Sequence, residues 1–378
     1  MKKVFYFSAS LLFLTLIFWV AYNFAFKNNV HDPSVGSKTE TFTNKTDLTD
    51  SVSSASITNP INENILGAAI SENGEIYYYS LDNQALKKAS LEGKNKSVLL
   101  SNLPGTPLRI VWSPKRDKAL ILLKQLSDQP LWYFANLENK TLIPLKAEMS
   151  RLVWDNLGDK IFYQYTDPRS GERTLNISNP DGTDWKNLTA LKRDTFISAI
   201  PHSASVSFWS KPSALEKTFF ESVGIDGNNR RLLFSEKFGA DYLWSPDGEK
   251  VLASASEEKG GSGILLYAMN NNGGEFQSLS IPTLVSKAVW SKDNKTVYYA
   301  LPGALPKDAM LPDDYFNKPL STKDTFWKID TSTGKQSRLV DIKDITQSFD
   351  SADLFLSPDE DALFFTERTT HKLYRIDL

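Results

Sequence analysis

The chain of 378 residues has no cysteine and only three histidines. Without cysteine it can form neither disulfide bridges nor thiolate metal sites. His31, His202 and His371 lie far apart and in unlike contexts, so we expect no histidine-rich metal centre. The formal net charge is only −2, with acidic and basic residues interspersed. This balance predicts that nucleic acid is not a partner.

The sequence also lacks the common catalytic motifs. It contains no Gly-x-Ser-x-Gly nucleophile elbow and no Gly-x-x-x-x-Gly-Lys-Ser/Thr phosphate-binding loop. Adjacent carboxylates such as Glu257 and Glu258 are typical of solvated loop charge rather than of an acid–base pair. We therefore predict a protein that has no catalysis of its own and no cofactor.

The N-terminal region is predicted to lie outside the folded domain. Met1, Lys2 and Lys3 precede an uncharged apolar run at residues 4–26. As a helix this run would extend about 35 Å, enough to cross a bilayer. We expect a signal anchor with residues 1–3 in the cytoplasm and the rest of the chain outside a cell membrane. A cleavable signal peptide is the alternative. The Ser/Thr-rich residues 27–56 are predicted to be a disordered linker.

A Trp-Ser-Pro-Asp-Gly motif recurs along the remainder of the chain. The clearest copy is Trp244–Gly248, and related copies begin at Trp112, Trp154 and Trp290. Each copy lies between a short apolar strand and a second, more hydrophobic one. A fixed period of short strands and turns indicates a radial β architecture.

Counting the repeats predicts seven units of four strands each. The last residues of the innermost strands serve as markers, at Ile70, Trp112, Trp154, Ile200, Trp244, Trp290 and Leu356. The predicted fold is all-β, a seven-bladed β-propeller of four-stranded blades over residues 57–378. It is preceded by one transmembrane helix and a flexible linker.

A second recurrent turn joins the third and fourth strands of several units. Asp181-Gly182 and Asp226-Gly227 are examples. Such pairs supply the positive φ that tight hairpins need. Calcium binding is an alternative reading of these acidic turns, but a calcium loop requires several converging oxygens. The hairpin explains the same residues more simply.

With both turns present, the chain resembles TolB-type β-propellers, whose repeats are related to WD repeats. The resemblance covers roughly residues 57–378. It implies that Trp packs between blades and that Ser-Pro-Asp-Gly shapes a turn. Similar propellers cover the active sites of prolyl-oligopeptidase-like enzymes. TolB carries an additional α/β domain before its propeller, whereas this chain has only the predicted anchor and linker there.

The seventh unit supplies only three strands before the chain ends. An unpaired blade edge is a liability. We predict that residues 55–61 provide the missing strand and so join the two ends of the domain.

Long, dissimilar loops between second and third strands are the predicted binding elements. They cover residues 124–130, 166–173, 210–216, 256–263 and 301–323. Aromatic and Met side chains within a polar rim suit a protein contact. The candidate partner-binding residues are Met310, Leu311, Asp313, Asp314, Tyr315, Phe316, Asp167, Arg169 and Arg173. Alternatively, the longest loop folds onto its own domain.

The sequence thus predicts a membrane-tethered, extracytoplasmic, non-catalytic scaffold that binds another protein or an envelope polymer. The alternative is a propeller-type hydrolase, lyase or lactonase that acts at the central funnel. Convergent polar side chains with shifted pKa values at the channel mouth would favour the enzyme.

Overall fold

The computed structural model describes residues 55–125, 129–261, 263–303, 305–317 and 320–378. Within these residues the strands form seven antiparallel sheets of four strands each. The prediction of a seven-bladed propeller with four-stranded blades is therefore confirmed. The predicted anchor at residues 4–26 and most of the linker lie outside the described residues. Across the described ranges, none of the helices has the length and apolar character needed to span a membrane.

The strands follow the chain in order around the propeller. The first described strand is β1 (Ile57–Thr58). Blade 1 contains β2 (Ile65–Ile70), β3 (Glu75–Ser80), β4 (Ala85–Ser90) and β5 (Ser97–Ser101). Blade 2 contains β6 (Thr106–Trp112), β7 (Lys118–Lys124), β8 (Pro130–Asn136) and β9 (Thr141–Pro144). Blade 3 contains β10 (Met149–Trp154), β11 (Ile161–Thr166), β12 (Arg173–Ser178) and β13 (Lys186–Leu191). Blade 4 contains β14 (Thr195–Ala199), β15 (Ser205–Ser210), β16 (Phe220–Gly224) and β17 (Arg231–Phe234).

The other blades follow the same plan. Blade 5 contains β18 (Phe238–Trp244), β19 (Lys250–Ser256), β20 (Ile264–Asn270) and β21 (Gln277–Ser278). Blade 6 contains β22 (Ala288–Trp290), β23 (Thr296–Gly303), β24 (Lys323–Asp330) and β25 (Gln336–Arg338). Helix α1 (Asp313–Asn317) lies between its second and third strands. Blade 7 contains β26 (Ser351–Leu356), β27 (Ala362–Glu367) and β28 (Lys372–Asp377), and β1 completes it. Two 3-10 turns cover Val285–Lys287 and Ile342–Asp344.

The predicted closure by the N-terminal strand is confirmed. Ile57 pairs with Ile376 and Thr58 pairs with Arg375 in antiparallel register. Ile61 follows closely and is fully buried. The outer edge of β28 is thus covered by the other end of the domain, which removes an exposed strand edge.

The core lies between neighbouring blades. The blade 4–5 interface is representative, where the rings of Phe220 and Tyr242 stack with centroids 4.0 Å apart. The repeated Trp residues also bridge blades, as the resemblance implied. Trp112 Nε1 donates to Gly67 O at 2.6 Å, and Trp154 Nε1 donates to Val111 O at 2.9 Å. Each ring therefore fills the interface and satisfies a carbonyl of the preceding blade.

The propeller has two unlike faces. The turn face carries the Ser-Pro-Asp-Gly turns, and the loop face carries the connections between second and third strands and between blades. On the turn face, hydrogen bonds link successive blades. Arg116 Nε donates to Ile70 O at 2.9 Å, and Asn156 Nδ2 donates to Ile200 O at 2.8 Å. Ser245 Oγ donates to Asp247 Oδ1 at 2.5 Å, which assigns these motif residues to turn geometry.

Candidate active site in the central channel

Five of the seven innermost strands are bulged near their starts, on the side of the loop face. The pairing register of β10 shifts between Ser150 and Val153, and that of β18 shifts between Phe238 and Asp241. Arg151 and Gly239 adopt positive φ within these bulges, both at 58°. A bulge bends its strand and re-aims the neighbouring side chains. Here the bulges belong to the strands that surround the channel.

A cavity of about 330 Å³ lies in the channel. Its wall is made largely by the innermost strands of blades 2 to 5 and by the 3-10 turn that precedes β22. The lining residues are Arg109, Arg151, Leu152, Val153, Phe196, Ile197, Ser198, Trp209, Asp241, Tyr242, Leu243, Val285 and Ser286. The cavity is large enough for a small ligand.

Among the residues that line this cavity, Asp241 is the one with a carboxyl group. Its Oδ1 accepts hydrogen bonds from Trp209 Nε1 at 2.8 Å and from the Tyr242 backbone N–H at 3.1 Å. Oδ2 accepts none from the described residues. Burial raises the pKa of Asp241 to about 6, although both hydrogen bonds favour the ionised form. The group can therefore gain or lose a proton near neutral pH.

Arg109 lines the cavity, and Asp353 of β26, which does not line it, interacts electrostatically with Arg109. Both residues are exposed to solvent. Burial lowers the pKa of Arg109, the nearby Arg151 lowers it further, and Asp353 opposes this effect. Burial raises the pKa of Asp353, and Arg109 opposes that shift. Arg109 donates no hydrogen bond to a described residue, so its guanidinium is available to an anion.

Arg151, in contrast, is held by its own protein. Its Nη2 lies 2.6 Å from Asp194 Oδ2, and its Nε lies 3.2 Å from Asp194 Oδ1. The guanidinium carbon also lies 4.7 Å from the ring centroid of Phe196. A two-point ion pair together with ring stacking fixes the orientation of this guanidinium. Arg151 therefore adds positive charge to the cavity at a fixed position.

The predicted partner-binding residues at 310–316 occupy mixed environments. Leu311 and Tyr315 are each only 2% exposed and Asp314 is also buried, whereas Phe316 is 51% exposed. Met310 is exposed as well. The loop is folded onto its own domain, as the alternative interpretation held. Whether the exposed members contact a partner stays a prediction.

A buried ion cluster holds this loop in place. Tyr315 Oη donates to Asp350 Oδ1 at 2.7 Å. Lys287, fully buried, lies 2.7 Å from Asp324 Oδ2 and 2.9 Å from Asp350 Oδ1. Arg368 Nη1 donates to the Tyr315 carbonyl at 2.7 Å. The cluster joins blades 6 and 7 and attaches α1 to them.

Asp167, Arg169 and Arg173 lie at a loop of blade 3 and do not line the cavity. Asp167 Oδ1 accepts the backbone N–H groups of Arg169 and Ser170, both at 2.8 Å. These bonds lower the pKa of Asp167. The carboxylate thus closes its own turn, and the two arginines are exposed. Partner binding by these three residues also stays a prediction.

Sequence reasoning missed the charged residues of the channel, although the repeat contains a signal for them. One residue in each unit precedes the innermost-strand marker by three positions. These residues are Gly67, Arg109, Arg151, Ile197, Asp241, Lys287 and Asp353. When charged side chains recur at the same position of the innermost strand in several units, the pattern predicts that they point in the same direction. In a closed propeller that direction is toward the channel, although Lys287 is instead buried in the ion cluster.

No known family profile matches the chain. A curated relative, an uncharacterized peptidase named YuxL from Bacillus subtilis, is 43% identical over 63 residues. The match covers 16% of this chain and 9% of the relative. The chain therefore spans only a small part of that relative's length.

Several solved propellers are similar to the chain in structure. An oligogalacturonate lyase from Vibrio parahaemolyticus is 13% identical, with a TM-score of 0.63 over 87% of this chain and 95% of that one. An oligogalacturonate lyase in complex with manganese is 15% identical, with a TM-score of 0.59 over 85% and 90% of the two chains. A putative TolB from Agrobacterium tumefaciens is 14% identical, with a TM-score of 0.46 over 75% and 94%.

Among the residues that the structure describes, no site corresponds to the manganese centre of the second lyase. In the part of the chain that the structure describes, no three or more His, Asp or Glu residues come together as a metal centre would require. The described channel residues therefore do not fit such a centre.

The prediction of a non-catalytic scaffold, and with it the prediction that the chain is not an enzyme, is wrong. Similar solved propellers include lyases, and the short sequence match is to a peptidase. The channel also carries convergent polar side chains with shifted pKa values, the feature that favours an enzyme. At 13–15% identity, the structural similarity to the lyases shows a shared fold alone.

Proposed function

We propose that the chain is an enzyme that cleaves an anionic oligosaccharide or polysaccharide by β-elimination in its central channel. One observation carries the proposal: Asp241 has a pKa of about 6 and lines the same cavity as the guanidinium groups of Arg109 and Arg151. A carboxyl group with this pKa is a suitable general base near neutral pH. The oligogalacturonate lyases that share the fold suggest a uronate polymer as the substrate.

The charges of the cavity support an anionic substrate. Arg109 has no hydrogen-bonded partner among the described residues, and as an exposed residue it can be reached by an anion that enters the cavity. A planar guanidinium matches the two oxygens of a carboxylate. We assign the substrate carboxylate to Arg109, with Arg151 adding positive charge from its fixed position.

The proposed reaction needs one base and one acid. Arg109 neutralises the carboxylate of a uronate ring, which makes the hydrogen on the adjacent C5 more acidic. Ionised Asp241 takes that proton, the C4–O bond breaks, and a C4=C5 double bond forms. Asp353, whose pKa is also raised by burial, donates a proton to the departing oxygen. One proton is taken up and one is released, so the protein returns to its starting protonation after exchange with water.

The test is a cleavage assay with the full-length protein and galacturonate oligomers. Elimination creates a double bond that absorbs ultraviolet light, whereas hydrolysis creates reducing ends without that absorbance. We expect absorbance to rise with the acidic oligomers and not with their methyl esters, because esterification removes the charge that Arg109 would bind.

Asp241→Asn tests the assigned base in the same assay. The variant should lose about 10²- to 10⁴-fold in rate. Asp167→Asn is the matched control, since Asp167 lies outside the cavity, and it should keep the wild-type rate. Reducing ends without new absorbance would overturn elimination. Equal rates for Asp241→Asn and the wild type would overturn the assigned base.

We also propose that residues 4–26 anchor the chain in a cell membrane and that the propeller acts outside the cytoplasm. The uncharged apolar run and the preceding lysines support it. Cell fractionation tests it. The full chain should sediment with membranes and resist extraction by high salt, and a chain starting at residue 27 should not.

A further inference from the structure

The bulge that directs Asp241 is supported from outside its own sheet. The register of β18 with β19 passes from Phe238 to Asp241 and leaves Gly239 and Ala240 without ladder partners. Buried backbone N–H groups need hydrogen-bond acceptors. Here the segment at residues 214–218 supplies them.

Two hydrogen bonds from the bulge end on this segment. The Gly239 N–H donates to the Glu216 carbonyl at 3.2 Å. The Ala240 N–H donates to Thr218 Oγ1 at 2.9 Å. Thr218 is only 1% exposed, and its own N–H donates to the Lys237 carbonyl at 3.0 Å. Thr218 thus binds the chain on both sides of the bulge.

The long loop between the second and third strands of blade 6 contacts the same bulge. We call residues 305–317 the cap segment. A Cβ placed on Gly239 would lie 2.7 Å from Pro312 Cδ, so only glycine allows this close approach. The neighbouring Asp313 accepts the Ala214 N–H through Oδ2 at 2.5 Å. The cap segment therefore contacts both the bulge and the segment that holds it.

We infer that Thr218 and Asp313 are positioning residues for Asp241, because they hold the bulge that sets the direction of its carboxyl group. This inference rests on the proposed function only in giving Asp241 a role in proton transfer. Trp209 Nε1 can reach Oδ1 only while the backbone at Asp241 keeps its place. A catalytic group must be held within a fraction of an ångström of its working position.

The hydrogen bond from Trp209 makes the titration of Asp241 a sensitive reporter of this position. Of the charged side chains nearby, Arg109 and Arg151 line the same cavity as Asp241, Asp353 interacts with Arg109, and Tyr242 is the next residue of the strand. If the bulge relaxes, the hydrogen bond from Trp209 weakens. Since that bond favours the ionised carboxylate, its loss raises the pKa of Asp241.

The first experiment is Thr218→Val in the full-length protein. This change removes the hydroxyl acceptor and nearly preserves the volume. The titration of the Asp241 carboxyl group, followed by carbon NMR and assigned with Asp241→Asn, should move to higher pH. On galacturonate oligomers kcat should fall about tenfold with KM little changed. Thr218→Ser restores the hydroxyl and should restore both quantities.

The matched control is Thr283→Val. Thr283 is also fully buried, and its hydroxyl donates to the Ala300 carbonyl at 2.6 Å. The control also loses a buried hydrogen bond between a threonine hydroxyl and the backbone, although here the hydroxyl is the donor, and it should lower thermal stability without moving the Asp241 titration. Asp313→Ala tests the cap segment in the same way, and Asp308→Ala, an exposed change in the same segment, is its control.

The outcomes separate this inference from the proposed function. An unchanged Asp241 titration in Thr218→Val and Asp313→Ala would overturn the positioning role, whatever the protein's activity. A shifted titration in both variants but not in the controls supports it, even if no galacturonate oligomer is cleaved. The latter result would instead overturn the proposed reaction.

Discussion

Trp209 of blade 4 and Asp241 of blade 5 are joined by a hydrogen bond of 2.8 Å from Nε1 to Oδ1. The bond crosses the interface between two blades, so the position of the carboxyl group depends on how those blades pack. Burial raises the pKa of Asp241 and this bond restrains the rise. The two opposing effects place the pKa at about 6.

Trp209→Phe should raise the pKa of Asp241 above 6. The phenyl ring keeps much of the interblade packing but cannot donate the hydrogen bond, so the ionised carboxylate loses a stabilising partner. The acidic limb of the kcat/KM profile should therefore move to higher pH. Trp154→Phe is the control, because its Nε1 donates to Val111 O instead. An identical shift in both variants would contradict this assignment.

Asp241→Asn should stabilise the fold at neutral pH while it lowers the rate by about 10²- to 10⁴-fold. The folded-state pKa of Asp241 is raised from about 4 to about 6, so the folded chain binds more protons than the unfolded chain between these values. Stability consequently falls as pH rises through this window and is then constant. Asparagine removes that cost, and the gain should reach at most about 3 kcal/mol above pH 6 and vanish below pH 4.

Chemical denaturation at pH 4 and at pH 8 measures this difference. Asp167→Asn serves as the control, because Asp167 lies in an exposed loop and its pKa is lowered rather than raised. That control should show no gain at pH 8. A gain of equal size for Asp241→Asn at both pH values would contradict the predicted linkage.

Lys287→Met should destabilise the fold by about 3–5 kcal/mol, because it leaves Asp324 and Asp350 as buried charges without their shared cation. Thermal unfolding measures the loss. Lys343→Met is the matched control, since Lys343 is 74% exposed in its pair with Asp341, and it should change stability by less than about 1 kcal/mol. Equal losses of stability in the two variants would contradict the predicted contribution of the buried cluster.

Deleting residues 55–61 should lower the melting temperature strongly. The deletion removes the strand that pairs with Arg375 and Ile376, and it also removes the fully buried Ile61. Ile61→Ala alone should cost about 2–5 kcal/mol. Ile225→Ala, at a position 42% exposed, should cost less than about 0.5 kcal/mol. An unchanged melting temperature after the deletion would contradict closure by β1.

The propeller could be predicted from sequence because its signals are local and repeated. Trp244 and the Ser-Pro-Asp-Gly turn that follows it encode a strand, a turn and a second strand within a dozen residues. Even blade 4, which lacks that turn, keeps the spacing and forms its four strands. The closing strand was predictable from the same count, since one strand was missing at the end.

The exposure of the longest loop could not be predicted in the same way. An aromatic residue in a long loop, such as Tyr315, is typical of a surface contact. Its hydroxyl nevertheless donates a buried hydrogen bond to Asp350, next to blade 7. That contact joins residues 35 positions apart in sequence. Local sequence does not record which distant acceptor a side chain meets.

The candidate site depends still more on tertiary structure. Arg109 and Asp241 are single charged residues within apolar strands of different blades, and nothing near either one in sequence suggests catalysis. The amino-acid sequence determined the repeat, the blade number and the geometry of the turns, since those follow from local backbone preferences. Only closure of the ring decided that these side chains share one cavity, because burial and charge coupling, which set their pKa values, depend on distances between blades.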